Sequence, residues 1–91
     1  MTENRVESVR NELLMQGYAN RPAARAIEKF VRAARLGGEF PDANATEFGR
    51  EMEYLVAKGL MEERRSEIAQ AERRYTITAA GVDYVEREGL A

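Results

Sequence analysis

The chain has 91 residues, of which 44% are hydrophobic and 33% charged, and its formal net charge is -2. This length leaves room for one domain over residues 1–91 with a modest core, and no separate catalytic domain. Cysteine and histidine are both absent, which excludes disulfides, thiolate nucleophiles, the usual zinc ligands and the commonest general base, so we expect no enzyme activity and no cofactor.

No apolar run approaches the roughly 18 residues of a membrane span, and charges occur throughout the first twenty residues. We therefore expect no membrane partner, no signal peptide and a cytoplasmic protein.

The charge is unevenly distributed along the chain. Residues 1–37 hold seven Arg or Lys against four Glu, and residues 38–91 hold seven against twelve acids. The acidic balance counts against a nucleic-acid partner, whereas the basic first half leaves one open.

Two amphipathic helices are predicted in the first half of the chain. Val6, Val9 and Leu13 recur at helical spacing and predict a helix over about 2–16, with Gly17 as its stop. Asn20 as N-cap and Pro22 in the first turn predict a second helix over about 22–36. Its predicted inward positions are Ala23, Ile27, Phe30, Val31 and Ala34. Its other flank carries Arg25, Lys29 and Arg32, which suit phosphates or are simply solvated.

The stretch "GGEFPDAN" is the strongest loop signal and precedes a third predicted helix over about 45–58. Asn44 or Thr46 is its predicted cap, and Gly59 supplies a left-handed stop. One face of this helix gathers the apolar residues Phe48, Met52, Leu55 and Val56. Arg50 lies almost opposite them, with Thr46, Glu47, Glu53 and Tyr54 beside it. This outward face is long enough to be a contact surface.

The stretch "EERRSEIAQAERRYTI", residues 62–77, favours a helix by local propensity, but a helix here would have only Ile68 and a few alanines to bury. Its ends are typical of strands, because "RYTIT" alternates Tyr75 and Ile77 with polar residues. We therefore predict a hairpin that pairs about 60–66 with 72–78, with "EIAQA" at its tip. Alternation along the strands then divides the four arginines between two faces.

Thr78 is the predicted cap of a last helix over about 79–88, with Val82 and Val85 facing inward. The predicted fold class is therefore mainly α with a two-stranded β-hairpin (α+β), in the order helix-helix-helix-strand-strand-helix. This element order resembles a winged helix-turn-helix domain in which the hairpin is the wing, over about 60–78. The matching motifs are Leu55, Lys58, Gly59 and Leu60 at the start of the wing and Tyr75, Ile77, Thr78 and Gly81 at its end. They are similar to those of MarR- and PadR-type bacterial regulators, and the whole chain also resembles small winged-helix proteins of Mu-type prophages.

The resemblance implies that the third helix enters the DNA major groove and that the wing touches the backbone or the minor groove. It assigns base-edge contacts to Thr46 and Arg50. It assigns phosphate contacts to Asn44, Arg64, Arg65, Arg73 and Arg74. Tyr54 either stacks on a partner or covers the edge of the core, and Arg50 is otherwise an ordinary solvated arginine.

Acidity is the clearest departure from a DNA-binding pattern. Three glutamates on the third helix, Glu47, Glu51 and Glu53, outnumber Arg50 and Lys58, and each unmatched carboxylate weakens the attraction to phosphates. Two hypotheses are consistent with these residues. The first is a small DNA-binding transcriptional regulator that acts as a homodimer, with the spare apolar residues Val6, Leu14, Met15 and Leu90 as its dimer contact. The alternative is a winged-helix adaptor, in a phage context, that binds a protein partner and not DNA.

Overall fold

The computed structural model describes residues 4–65 and 72–91. Within them the elements occur in the order α1 (Arg5–Ala19), β1 (Arg25–Ala26), α2 (Ile27–Leu36), α3 (Ala45–Ala57), β2 (Met61–Arg65), β3 (Arg73–Ile77) and α4 (Ala79–Glu88). The strands form one antiparallel sheet in the order β1-β3-β2. The predicted fold class, mainly α with a β-hairpin, is confirmed. The two-residue strand β1 was not predicted and makes the sheet three-stranded.

The first helix lies three residues further along the chain than the sequence predicted. Asn4 caps its start, with the side-chain oxygen accepting hydrogen bonds from the backbone N–H groups of Val6 and Glu7 at 3.0 and 3.4 Å. The helix does not stop at Gly17, because this glycine is buried against the sheet. A Cβ atom at Gly17 would lie 3.3 Å from side-chain atoms of Met61 and Ile77. Gly17 therefore permits close packing of α1 on the sheet and does not end the helix.

The second helix begins at Ile27 and not near residue 22 as predicted. The residues just before it pair with β3 instead, Arg25 with Tyr75 and Ala26 with Arg74. This sheet pairing draws the backbone into an extended conformation that the local sequence does not signal. As a result Arg25 does not share a helical stripe with Lys29 and Arg32.

The residues predicted to begin α2 lie before it in the structure. Asn20 belongs to the end of α1, where its side-chain amide donates to the carbonyl oxygen of Gln16 at 2.8 Å. Pro22 lies in the turn between the elements, and Ala23 is exposed there and does not face the core. The remaining predicted inward positions hold, since Phe30, Val31 and Ala34 are buried and Ile27 packs against them. The apolar spacing therefore predicted the body of α2 correctly, whereas the cap signals placed its first turn wrongly.

The loop between α2 and α3 is fixed at both sides. Arg35 donates from Nε to the carbonyl oxygen of Ala43 at 2.7 Å. Phe40 packs its ring edge-to-face on Phe48, with the ring centroids 5.8 Å apart and the planes at 83°. Asn44 then caps α3 by accepting from the backbone N–H of Glu47 at 2.8 Å. These contacts set the direction in which α3 leaves the loop.

Residues Met61–Arg65 and Arg73–Ile77 pair as the two antiparallel strands of the predicted hairpin. Register runs from Met61 opposite Ile77 to Arg65 opposite Arg73. The predicted tip "EIAQA" lies outside the described residues. At the base of the hairpin, Met61, Tyr75 and Ile77 are buried, so the strands are anchored in the core, in part by the alternating residues Tyr75 and Ile77 that predicted a strand.

The residues that matched the regulator motifs lock the base of the hairpin to α4. Gly59 adopts φ +80, a left-handed conformation that ends α3. The hydroxyl of Thr78 donates to the Gly59 carbonyl oxygen at 2.6 Å and accepts from the backbone N–H of Gly81 at 3.0 Å. Gly81 has no room for a side chain, because a Cβ there would overlap the Leu60 carbonyl oxygen. One threonine thus joins the turn before β2 to the start of α4.

The core lies between the helices and the sheet, and its largest fully buried side chains include Phe30, Phe48, Leu13, Leu14, Met52 and Leu55. Leu14 was predicted as a spare apolar residue for a dimer contact, and that prediction is wrong because its exposure is 1%. Val6 is 37% exposed, while Met15 and Leu90 are half-buried. None of the helices in the described ranges is long and apolar enough to cross a membrane.

Candidate nucleic-acid interface

The outward side of α3 is the surface that the sequence analysis singled out. Thr46, Arg50 and Glu53 are all exposed on this side, while Phe48, Met52 and Leu55 on the opposite side are fully buried. Spacings of three and four residues place the first three on neighbouring turns of one helix face. Because its apolar side is anchored in the core, α3 presents this polar face in a fixed orientation.

Two of the three glutamates of α3 do not belong to that outward face. Glu47 accepts a bidentate pair of hydrogen bonds from Arg5 of α1, at 2.8 Å from Nε and 2.9 Å from a terminal nitrogen. The same arginine reaches Asp42 at 3.1 Å. Hydrogen bonds from Arg5 lower the pKa of both carboxyl groups and raise that of the guanidinium. These acids therefore face a matching cation on α1.

Glu51 is the acid of α3 whose surroundings the sequence did not indicate. It was counted with Glu47 and Glu53 in the charge of the helix expected to approach DNA, but it is only 4% exposed. Its two carboxylate oxygens accept from Nε of Arg10 at 2.8 Å and from Nε of Arg50 at 3.2 Å. A signal was present in the sequence, since Glu47, Glu51, Tyr54 and Lys58 recur at spacings of four, three and four residues, which is the spacing of one helix face. That face lies against α1.

Tyr54 lies on this α1-facing side and not at the centre of the outward face. The guanidinium of Arg10 stacks on its ring at 3.4 Å from the centroid, and the Lys58 ammonium lies 5.6 Å away. Such cation–π contacts stabilise a ring in place. Tyr54 is 38% exposed and carries a cation over one ring face, and its stacking on a partner stays a prediction.

The wing arginines are divided between two faces of the hairpin. Arg64 stands opposite Arg74, and Arg65 stands opposite Arg73. Each pair shares a face, and successive residues point to opposite sides. Glutamates of the wing lie within ion-pair distance of all four arginines. The pairs are Arg64 with Glu62 at 3.1 Å, Arg65 with Glu63 at 3.2 Å, Arg73 with Glu63 at 3.6 Å and Arg74 with Glu72 at 2.8 Å.

A groove between the start of α2 and the wing brings Arg74 close to two cations from the first half of the chain, Arg25 and Lys29. It has a volume of about 260 Å³, and Arg25, Lys29 and Arg74 line it with Glu72. Pairing of β1 with β3 sets Arg25 opposite Tyr75 and next to the strand that carries Arg74, an arrangement that the predicted helical position of Arg25 did not indicate. Three cations around one carboxylate leave a positive balance that suits a phosphate group.

Asn44 differs from the other predicted site residues because its side-chain oxygen caps the N-terminus of α3. The residue is exposed, and helix N-termini attract anions through their unpaired N–H groups. Thr46 follows in the first turn of α3 and is also exposed. For metal ions the described part of the chain offers no cluster of three or more acidic ligands. Thr46 and Arg50 are thus exposed on the outward face of α3 with Asn44 at its start, whereas Tyr54 lies on the side facing α1 and the wing arginines lie on the hairpin.

Comparison with solved structures identifies the fold as a winged helix-turn-helix. ZitR of Lactococcus lactis, a double variant in apo form, matches with a TM-score of 0.73 over 92% of this chain and 56% of its own, at 11% identity. MepR of S. aureus, a variant from a clinical isolate, matches with a TM-score of 0.72 over 88% of this chain and 53% of its own, at 14% identity. Both are winged-helix regulators of the MarR type and not enzymes.

These matches cover about half of each relative, so they concern the fold of the winged-helix part. A scan against protein-family models gave no match, and a search of curated proteins gave none. The function of the chain therefore has to be inferred from its fold and from the arrangement of its charges.

Proposed function

We propose that this chain is a small winged-helix DNA-binding regulator whose α3 enters the major groove. Thr46 and Arg50 are the proposed base-edge contacts. The observation that supports this best is the direction of the acids on α3. Glu47 and Glu51 are turned toward α1 and matched by Arg5 and Arg10, so that Glu53 is the one glutamate of α3 on the outward face.

This pairing reduces the repulsion of phosphates that the three glutamates of α3 would otherwise cause. A carboxylate with an arginine at 2.8 Å acts at a distance as a dipole, and its field decays faster than that of a single charge. Salt screens the remainder beyond about 8–10 Å. A phosphate that approaches the outward face therefore meets the 66% exposed Arg50 and a single glutamate, instead of the three glutamates counted along the sequence.

Phosphate contacts come from three places in this proposal. Asn44 and the N-terminus of α3 face one strand of the duplex. The groove of Arg25, Lys29 and Arg74 offers a second cluster of donors. The remaining wing arginines, Arg64, Arg65 and Arg73, contribute when they exchange their glutamate partners for phosphates. Because the ion pairs are exposed, this exchange costs little.

Fluorescence anisotropy with a labelled random duplex at low salt, followed by a salt titration, tests the proposal. We expect saturable binding that weakens steeply with salt, because bound phosphates release counterions. Arg50→Glu should abolish it. Arg87→Glu is the matched control, since Arg87 is 69% exposed on α4 and its reversal changes the net charge by the same amount. No binding at micromolar protein in low salt would refute the DNA function, whereas equal binding by the two variants would refute the role assigned to Arg50 alone.

One observation favours the alternative of a protein-binding adaptor. Every wing arginine already has a glutamate within 4 Å, so the wing is a mixed-charge surface of the kind that protein partners also use. If the anisotropy assay gives no binding at low salt, this becomes the favoured function. A homodimer, a link to prophages and a role in repression or activation stay predictions. Light scattering in solution tests whether the chain forms a homodimer.

A further inference from the structure

Glu51 is a buried carboxylate that holds two arginines from two different helices. Its side chain is 5% exposed, whereas Arg10 is 30% and Arg50 is 66% exposed. An isolated carboxylate is costly to bury, and one that is paired and hydrogen-bonded through both oxygens is tolerated. The pair with Arg10 ties α1 to α3. The pair with Arg50 reaches from the buried side of α3 toward its outward face.

The hydrogen bond from Arg50 to Glu51 constrains the conformation of the Arg50 side chain. Successive residues of a helix point about 100° apart and do not ordinarily face each other. Arg50 therefore has to lean toward the α1 side for its Nε to reach Glu51 at 3.2 Å. The guanidinium is planar, so fixing Nε also fixes the plane in which the terminal nitrogens lie. Within residues 4–65 and 72–91, this hydrogen bond through Nε leaves both terminal nitrogens of Arg50 for a partner.

Arg10 completes the arrangement by holding Glu51 itself. It donates to the other carboxylate oxygen at 2.8 Å, and its guanidinium stacks on Tyr54 at 3.4 Å. With one oxygen occupied by an arginine that is itself stacked, the carboxylate cannot turn to follow a moving Arg50. Tyr54 therefore holds Arg10 by stacking, and Arg10 holds Glu51 by a hydrogen bond. Glu51 in turn holds Arg50.

We propose that Glu51 is a positioning residue that presets the guanidinium plane of Arg50 for a bidentate contact with a base edge. This inference rests on the proposed DNA function. Arginine recognises guanine with two parallel hydrogen bonds to O6 and N7, a geometry that depends on the orientation of the plane. A side chain that is already oriented loses less conformational freedom when it binds. Glu51 touches no DNA and acts through Arg50.

The test compares binding to a duplex selected by the wild-type chain with binding to a random duplex. Glu51→Gln removes the charge and one acceptor, and Glu51→Asp keeps the charge but shortens the side chain. Both should lower the preference for the selected duplex by roughly tenfold, within the range of one bidentate contact. Glu88→Gln, which removes the same charge from an exposed glutamate of α4 away from Arg50, is the control. It should keep the preference for the selected duplex and change binding to both duplexes equally.

A double-mutant cycle separates positioning from a general structural effect. In an Arg50→Ala background, Glu51→Gln should leave the duplex preference unchanged, because the side chain through which Glu51 acts is gone. Thermal melts of every variant report folding, and the shorter Glu51→Asp covers the case in which Glu51→Gln does not fold. A further drop in preference in the Arg50→Ala background would overturn the positioning role.

The NMR signal of the Arg50 Nε–H group gives a readout that needs no DNA. In the free wild-type chain it should be resolved and rigid, and Glu51→Gln should collapse it to the position of a solvated arginine. A mobile Arg50 in a wild-type chain that binds DNA would overturn the positioning role alone. A rigid Arg50 in a chain that binds neither duplex would overturn the proposed DNA function and the base-reading role with it.

Discussion

Replacing Gly81 with alanine tests how closely α4 packs on the turn before the wing. Gly81 is buried in the first turn of α4. A methyl group there would lie 2.6 Å from Cγ1 of Ile77 and would overlap the carbonyl oxygen of Leu60. That carbonyl also accepts the backbone N–H of Thr78 at 3.1 Å, so it cannot swing away without losing a hydrogen bond. The clash is therefore with backbone that has no easy way to move.

The free energy of unfolding should fall despite a gain in helix propensity. Alanine is about 1 kcal/mol better than glycine inside a helix. Overpacking a rigid site costs about 1–3 kcal/mol and more where backbone has to shift. With the clash at the upper end of that range, we expect a net loss of about 2 kcal/mol. For a domain of this size that corresponds to a drop in Tm of about 8–16 °C.

Gly49→Ala provides the matched control for this measurement. Gly49 lies inside α3, and a Cβ atom there would meet no heavy atom within 4 Å. The same substitution should therefore stabilise the chain by about 0.5–1 kcal/mol. Urea titrations of both variants with circular dichroism give the two values. A Gly81→Ala variant as stable as Gly49→Ala would refute the packing argument, because propensity alone would then explain both.

Three further predictions concern a helix cap, the core and an ion pair. Thr78→Ala loses both hydrogen bonds of its hydroxyl and should cost about 1–2 kcal/mol in a urea titration, whereas Thr78→Ser should recover most of it. Met52→Ala empties a fully buried position and should cost about 2–5 kcal/mol, and an unchanged urea midpoint would contradict the packing of α3. Arg5→Gln should lower Tm near neutral pH, because Arg5 lowers the folded-state pKa of Asp42 and Glu47. Stability from a lowered pKa is present above the unfolded pKa and is lost as pH falls through the folded one. The Tm difference from wild type should therefore shrink as pH falls below the ordinary carboxyl range of about 4, and a difference that stays constant there would contradict the linkage.

Of the candidate site, the sequence predicted the outward direction of Thr46 and Arg50 because the apolar stripe of α3 defines its opposite side. It also predicted the division of the wing arginines, since alternation along a strand is a consequence of backbone geometry. The sequence analysis did not find the groove of Arg25, Lys29 and Arg74. These residues meet through pairing of β1 with β3, a contact between segments far apart in the chain.

The sequence by itself determined the fold class and the order of the helices and the hairpin. Apolar periodicity, the loop signal before Asn44 and the lack of an apolar face in residues 62–77 are local properties that each limit the chain to one element type. Tertiary structure decided where α2 begins, because pairing with β3 overrides a weak helix start. It also decided which acids on α3 are paired with a cation. A one-dimensional count treats all three glutamates alike, whereas packing of α1 on α3 places Arg5 beside Glu47 and Arg10 beside Glu51. Whether a charge repels a partner depends on its nearest neighbour in space, and only the folded chain supplies that neighbour.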